Sequence, residues 1–299
     1  NKREHAAIVA QKILSTLDHS FQVQGHELRL TANIGMSIFP DDGLDTAALL
    51  RFAELAAARA REVGNHNEAG ECLFYSSEMN QRASAHFRIE SELRQAVARN
   101  ELRLFYQPKV SLRTGRIAGA EALLRWHHPE QGLLAPSQFV AVAEETRLIL
   151  ELGDWVLNEA CRQLRAWADA GMAMPPVAVN LSARQVDERL PEVVEKTLNR
   201  HGVSPSQLKL EITESLVMRN PEMVLPVLNQ LVAMGLSIAL DDFGTGYSSL
   251  AYLKRFPITT LKIDRAFVIG VPHEANDCAI AQAIVTMGKQ LRQEIVAEG

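Results

Sequence analysis

Apolar runs in the last two-thirds of the chain end in a recurring way. Six of them stop on a residue able to hold a metal ion or a phosphate: Ala118–Glu121, Val177–Asn180, Leu208–Glu211, Ser237–Asp242, Thr259–Lys262 and Glu294–Glu298. One such run is a strand that stops where the chain meets water. Six, all with polar groups at the same end and most of them carboxylates, point to a parallel β/α barrel. There the C-terminal ends of the strands converge on one mouth, and catalytic groups come from several strands. The pattern reads as a metal-dependent site spread over about 180 residues of sequence.

The elements between these ends alternate. Leu102–Val110 and Ile117–Leu124 are joined by Arg113-Thr114-Gly115-Arg116, short enough for an antiparallel hairpin. A helical region is expected from Ser137 to Ala170, punctuated by Gly153 and Gly171. Then follow strand Val177–Leu181, helix Leu190–Arg200, strand Leu208–Ile212, helix Glu222–Met234, strands Leu236–Leu240 and Thr260–Ile263, helix Asp277–Leu291 and strand Glu294–Ala297. Asn180 to Glu211 and Glu211 to Asp241 span 31 and 30 residues, the length of one βα unit. The predicted fold is α/β, a TIM-like (β/α)8 barrel with an antiparallel first strand. Its last βα unit is missing from the seven strands and is expected beyond Gly299.

The first ~80 residues carry a different pattern, a partial α/β domain. Ala6–Leu17 has helical periodicity, and Phe21–Val23 and Glu27–Thr31 flank a hairpin turn at Gln24-Gly25-His26. Ala32–Phe39 reads as a strand closed by Pro40-Asp41-Asp42-Gly43, Thr46–Glu62 as a helix stopped by Gly64, and Leu73–Tyr75 as a short strand. Ser77–Asn100 reads as one charged helix, with Phe87, Ile89, Leu93 and Val97 near helical spacing. The division is therefore residues 1–78, a linking helix over 79–100, and the barrel over 101–299.

Composition narrows this only slightly. At 47% hydrophobic and 22% charged, the 299 residues are ordinary for a soluble globular chain. A net charge of -5 gives no general attraction for a nucleic-acid polymer, so an anionic ligand must be held by local groups or metals. Cys72, Cys161 and Cys278 form no zinc spacing and read as structural thiols of a reducing cytoplasm. No apolar run reaches the roughly 18 residues of a membrane span, although an anchor upstream stays open. The chain begins without Met and stops just past a catalytic-looking strand, as an excerpt of a longer protein would.

Chemistry concentrates at Asp241–Leu250 (DDFGTGYSSL). Adjacent carboxylates stay ionised together only with cations between them. Strand neighbours point to opposite faces, so both reach one site only if the chain bends, which Gly244 and Gly246 permit. Glu211 ends its strand, and Glu214 is expected in the loop after it. Glu121, Asn180, Glu211 and Asp241 form an all-oxygen set suited to Mg²⁺ or Mn²⁺. Lys262, inside a carboxylate mouth, stays protonated and is able to orient a water or neutralise a phosphate. Glu298 is a candidate base, and Arg125 could fork onto a phosphate. His127 and His128 precede a turn, with no partner His at helical spacing, and read as structural.

These residues resemble the EAL phosphodiesterase family, whose members linearise the bacterial messenger cyclic di-GMP. Glu121-Ala122-Leu123 is the motif of that name. It is joined in order by Tyr106-Gln107-Pro108, Pro136 with Phe139, Ala143-Glu144-Glu145, Asn180-Leu181-Ser182, Glu211 with Glu214, Asp241–Leu250, Leu261-Lys262-Ile263-Asp264 and Ala297-Glu298-Gly299. The resemblance implies that Glu121, Asn180, Glu211 and Asp241 ligate one metal ion and that Asp242 ligates a second, with Asp241 bridging. It implies that Lys262 and Glu298 position or deprotonate the attacking water, and that Glu214 anchors the loop Phe243–Ser249. Leu123, Arg125 and Asp264 would meet the substrate. The expected product is linear pGpG, and the expected assembly a homodimer through the barrel. The chain departs from the family pattern at Arg147, where Gly is frequent, and lacks the second Glu that follows Ala-Glu-Gly.

The first 78 residues resemble the second half of a GGDEF (diguanylate cyclase) domain, by Ala32–Pro40, Asp42-Gly43, Leu50–Ala56 and Phe74-Tyr75. Where that family reads Ala-Asp, Ala-Met-Tyr and Ala-Lys, the chain has Ala53-Glu54, Ala56-Ala57-Ala58 and Ala60-Arg61. A degenerate, regulatory half that takes GTP or another nucleotide without making cyclic di-GMP is the implied reading. Two other functions compete for the barrel. A catalytically silent cyclic di-GMP receptor would have lost ligands that are present here. A lyase using Lys262 as a Schiff base would surround that lysine with apolar groups.

Overall fold

A computed structural model of the chain describes residues 2–17, 21–23, 26–28, 30–64, 70–244 and 255–298. They divide into two compact units, Asn1–Ser91 and Glu92–Gly299. In the first, helix α1 (Lys2–Leu17) precedes strands β1 (Phe21–Val23) and β2 (His26–Leu28). These pair antiparallel, with Val23 opposite His26, so His26 belongs to a strand; residues 24 and 25 lie outside the described residues. Strand β3 (Ile34–Met36), helix α2 (Thr46–Gly64) and strand β4 (Cys72–Phe74) follow, with β3 and β4 parallel.

The strand expected over Ala32–Phe39 is only three residues long. The Ile38 N–H donates to Asp42 Oδ2 at 2.6 Å and the Asp42 N–H to Ile38 O at 2.7 Å, which commits that backbone to a turn. A β-carbon on Gly35 would lie 2.0 Å from Ala53 O, so glycine is what lets α2 lie directly on β3.

Helix α3 (Ser77–Ala96) contains the boundary between the units. The second unit then runs β5 (Leu102–Val110), β6 (Ile117–His128), β7 (Gly132–Leu134), α4 (Val140–Glu145), α5 (Leu148–Asp169), β8 (Val177–Asn180) and α6 (Leu190–His201). It continues with β9 (Leu208–Thr213), α7 (Glu214–Arg219), α8 (Pro221–Ala233), β10 (Ser237–Phe243), β11 (Thr260–Ile263), α9 (Ala275–Gln290) and β12 (Glu294–Ala297). The strands form one mixed sheet in the order β12-β11-β10-β9-β8-β6-β5, with β7 beside β6. β5 and β6 pair antiparallel, and each further step along the path is parallel.

The sheet is strongly curled. β11 and β6 stand four strand steps apart, roughly 19 Å in a flat sheet at ~4.8 Å per step. Lys262 Nζ on β11 nevertheless reaches Glu121 Oε2 on β6 at 3.3 Å. Curled in this way, with helices packed outside, the second unit has an α/β barrel-like fold. β8 and β11 are buried almost without interruption, as parallel strands covered on both faces require. The helices meet them through apolar stripes, such as Leu152, Val156, Leu157, Ala160 and Leu164 of α5. Cys161 lies in this stripe, and burial pushes its thiol up to about 11, consistent with an inert structural role.

Three expectations are corrected here. The helix over Ser137–Ala170 is broken into α4 and α5 at Thr146-Arg147, where Arg147 takes a left-handed conformation with φ 63°. Gly153 does not punctuate α5. It sits within the helix, where a β-carbon would lie 1.8 Å from the Gln185 amide. The segment expected as the loop after Glu211 instead forms α7, ahead of the expected α8. No described helix is long and apolar enough to cross a membrane.

Candidate active site

The side chain of Lys262 is 1% exposed, at the centre of the mouth. Its Nζ lies 2.7 Å from Glu211 Oε2, 2.8 Å from Asp241 Oδ2, 3.3 Å from Glu121 Oε2 and 2.6 Å from Glu298 Oε1. Burial works against its charge, but Glu211, Asp241 and Glu121 outweigh burial and hold the ammonium well above the ordinary lysine range. Four carboxylates from four stretches of sequence thus meet one cation. Glu298 arrives because its N–H donates to Ile263 O at 3.1 Å, which carries the β11–β12 pairing one residue past β12.

Glu211 and Glu121 show how register builds the site. Asn180 pairs with Glu211 across β8 and β9, and the Leu181 N–H donates to Glu211 O at 2.8 Å. Asn180 Nδ2 donates to Glu121 Oε1 at 2.8 Å, which leaves Oδ1 as its acceptor atom. The turn after Asn180 is clamped twice. Ser182 Oγ donates to Glu144 Oε1 at 2.6 Å, and the Ser182 N–H donates to Gln185 Oε1 at 2.9 Å. Burial pushes the Glu211 carboxyl up despite its lysine partners, whereas Glu121, also opposed by burial, is held below the usual range by Lys262, Asn180 and Lys109.

Lys109 is the residue that the sequence reading missed. Its Nζ is bonded to Glu211 Oε1 and lies 3.7 Å from Glu121 Oε2. A signal was available in the short β5–β6 hairpin. Gln107 pairs with Glu121, which puts Lys109, two residues on, on the same face of the sheet as that glutamate.

Both aspartates of the Asp241–Asp242 pair reach the mouth, but the bend lies earlier than the glycines suggest. Asp242 itself is left-handed, with φ 54°, and Gly244 follows at φ 101°. Asp tolerates this region better than most residues. The β10–β11 register shifts between Leu240 and Phe243, the mark of a bulge. Gly246 and the rest of the expected loop up to Leu250 lie outside the described residues. Carboxylate oxygens of Asp241, Asp242 and Glu298 lie within 4.8 Å of one another. Burial pushes the Asp242 carboxyl up to about 6, helped by the negative charge of Asp241, by the charge and hydrogen bond of Asp264, and by Glu298. Asp264 in turn accepts the Ala266 N–H at 2.7 Å.

The remaining candidates stand around this centre. Glu214 opens α7, is buried, and accepts the Gly244 N–H at 3.0 Å through Oε2. Leu123 and Arg125 occupy the same face of β6 as Glu121, by strand alternation. Arg125 Nη1 donates to Leu124 O at 2.8 Å, and its guanidinium lies 5.9 Å from the centre of the Phe105 ring. His128 is buried and satisfied. Its Nε2 meets Glu92 Oε2 at 2.8 Å, while Nδ1 accepts the Glu130 and Gln131 N–H groups. That is a structural histidine at the β6–β7 turn.

Known proteins similar to this chain share one family. MucR of Pseudomonas aeruginosa, named a bifunctional diguanylate cyclase/cyclic di-GMP phosphodiesterase, is 47% identical over 295 residues, 98% of this chain and 42% of its own length. NbdA of the same organism, named a cyclic di-GMP phosphodiesterase, is 40% identical over 299 residues, 99% of this chain and 38% of its own. The chain thus spans less than half the length of these curated relatives. Among solved structures, the phosphodiesterase PaMucR in its c-di-GMP complex matches with a TM-score of 0.68 and 52% identity, covering 71% of this chain and 86% of that one. The EAL domain family profile matches residues 90–299, and with the curled sheet and carboxylate mouth already described, the chain is a member of the EAL domain family.

Proposed function

We propose that this chain hydrolyses cyclic di-GMP to linear pGpG at the mouth of its second unit, with two divalent ions, Mg²⁺ or Mn²⁺, as cofactor. The observation that carries the reading is Lys262, whose buried ammonium gathers Glu121, Glu211, Asp241 and Glu298. The likeness to MucR, NbdA and the c-di-GMP complex of PaMucR supplies the substrate class.

The residues fit such ions. Glu121, Asn180, Glu211, Asp241 and Asp242 offer only oxygen, the donor that hard divalent cations take. The Asp242 carboxyl is raised first by burial and then by the negative charge of Asp241, Asp264 and Glu298, and a cation would offset both. Bound ions would supply Lewis acidity toward the phosphodiester and lower the pKa of a water. Lys262, protonated and fixed by its partners, donates to the attacking water and orients it. Glu298, 2.6 Å from that ammonium, takes the water proton. The water oxygen bonds to phosphorus, one P–O ester bond breaks, and the proton taken from the water passes to the leaving oxygen, which restores the Glu298 carboxylate. Arg125 holds a phosphate oxygen with guanidinium N–H groups other than the one given to Leu124 O, and Leu123 and Asp264 line the same mouth. Glu214, through Gly244, fixes the segment after the paired aspartates. A Schiff-base role for Lys262 would need a neutral amine, and its four anionic partners oppose that.

The test is product analysis. Purified protein with cyclic di-GMP and Mg²⁺ or Mn²⁺ should yield pGpG, and Asp241→Ala should not. Tight binding without linear product in the full-length protein would replace the enzyme with a receptor.

For the first unit, we infer the C-terminal part of a degenerate GGDEF domain with a regulatory role. Parallel β3 and β4 under α2, and the match to MucR over 98% of this chain, support it. Synthesis of cyclic di-GMP from GTP by the full-length protein would overturn the degenerate reading.

A further inference from the structure

Lys109 takes part in none of the steps above, yet it is bound directly to their machinery. It projects from β5, the strand at one end of the sheet path, to Glu211 on β9. Glu211 is fully buried, and its two oxygens are held by two different ammonium groups, Oε1 by Lys109 and Oε2 by Lys262. Glu121 Oε2 also faces both, at 3.7 Å and 3.3 Å.

Glu294 also feels the charge of Lys109, but its contacts are made with other groups. Glu294 is engaged by Lys209 at 2.7 Å and by Thr260 Oγ1 at 3.1 Å. The close contacts of Lys109 are therefore with the two glutamates proposed as metal ligands. A buried carboxylate needs a positive partner, and Lys109 supplies one whether or not an ion is present. A fixed ammonium within bonding distance of a metal-ligand oxygen also repels a divalent cation and occupies part of that oxygen's lone-pair space.

We propose that Lys109 is a positioning residue, an internal counter-ion that competes with the divalent cation for Glu211 and Glu121 and so sets how tightly the site holds its ions. The inference rests on the metal-dependent reading given under Proposed function. Lys262 differs from it in kind. It is bound to all four carboxylates around it and belongs to the chemistry, whereas among the described residues Lys109 pairs with the two glutamates.

The experiment compares the unaltered chain with Lys109→Met and Lys109→Arg. Mn²⁺ binding is measured at pH 8 by the electron paramagnetic resonance signal of the free ion, and thermal unfolding is followed with and without Mn²⁺. Lys109→Met should bind Mn²⁺ roughly tenfold more tightly. Its ion-free form should melt at a lower temperature, with the deficit removed by Mn²⁺. Lys109→Arg, which keeps the charge, should bind Mn²⁺ as the unaltered chain does. Merely structural support would lower ion affinity along with stability, so unchanged or weaker binding by Lys109→Met overturns the proposal while leaving the metal-dependent reading intact. If neither the unaltered chain nor Lys109→Met binds Mn²⁺, the metal-dependent reading fails and this proposal falls with it. If Lys109→Met is too unstable to purify, Lys109→Gln is measured under the same criteria.

Discussion

The Gly244 N–H donates to Glu214 Oε2 at 3.0 Å, tying the start of α7 to the residue two positions beyond Asp242. Glu214 is buried, so its truncation leaves the Gly244 N–H without that acceptor. Glu214→Ala should destabilise the chain by about 1–3 kcal/mol. It should also lower phosphodiesterase turnover by about 10- to 100-fold, as loss of a group that orients ligands does. Steady-state kinetics beside thermal unfolding would check both. Unchanged turnover would remove Glu214 from the positioning of the paired aspartates.

Lys262 holds together four carboxylates that would otherwise repel one another. Lys262→Met should lower kcat by about 10²- to 10³-fold. The ion-free protein should lose about 3–5 kcal/mol, since buried charges are left without their partner. Lys262→Arg should not restore activity, because a planar fork cannot take the place of a compact ammonium. Denaturant unfolding in chelator and product analysis in Mn²⁺ would check the two effects separately.

Asp242 gives a pH dependence of definite sign. Its carboxyl is pushed up to about 6 in the folded chain, from an ordinary value of 3.8. The folded state thus keeps the proton over a range in which the unfolded chain has lost it, and ionisation costs folded stability. The cost is absent below the ordinary value, grows through the interval up to about 6, and is complete above it. Asp242→Asn should therefore raise the ion-free Tm above pH 6 by roughly 2 °C, after allowance for solvent screening at the rim. It should have no such effect near pH 4 and should abolish hydrolysis. Melting curves at the two pH values in chelator decide it.

Arg147 sits at φ 63° between α4 and α5. A side chain there carries a left-handed penalty of about 1–2 kcal/mol, part of which glycine returns as unfolded-state entropy. Arg147→Gly should stabilise the chain by about 0.5–1 kcal/mol and leave turnover unchanged. A lower Tm would show that the Arg147 side chain contributes more than its backbone conformation costs.

Much of the site is legible in the sequence because buried parallel strands read as continuous apolar runs. Their polar ends stand out at Asn180, Glu211 and Lys262. The mixed first pair is legible for another reason, since the four residues Arg113–Arg116 cannot cross over to a parallel partner. What escaped depends on where a side chain goes after its strand is placed. Lys109 lies in a strand that also carries Arg103, and charge alone does not tell a lysine facing the mouth from one facing water. The break at Arg147 escaped because Val142 and Ile149 are seven residues apart, two helical turns, so the polar run Glu144–Arg147 between them reads as the solvated face of one helix. The α7 turn escaped because Glu214 looked like a loop residue until its carboxylate was seen to be buried.

The curl that brings β11 to β6 has a kinetic and thermodynamic consequence. Lys262 and Glu121 are 141 residues apart in sequence, and Lys109 and Glu211 are 102 apart. Contacts of such separation form only after long loop closures, so the site is assembled among the last events of folding. A cation held there binds only the completed sheet and adds its binding energy to the stability of the whole unit. Ion binding should accordingly slow amide hydrogen exchange in both β5 and β12, the two ends of the strand path.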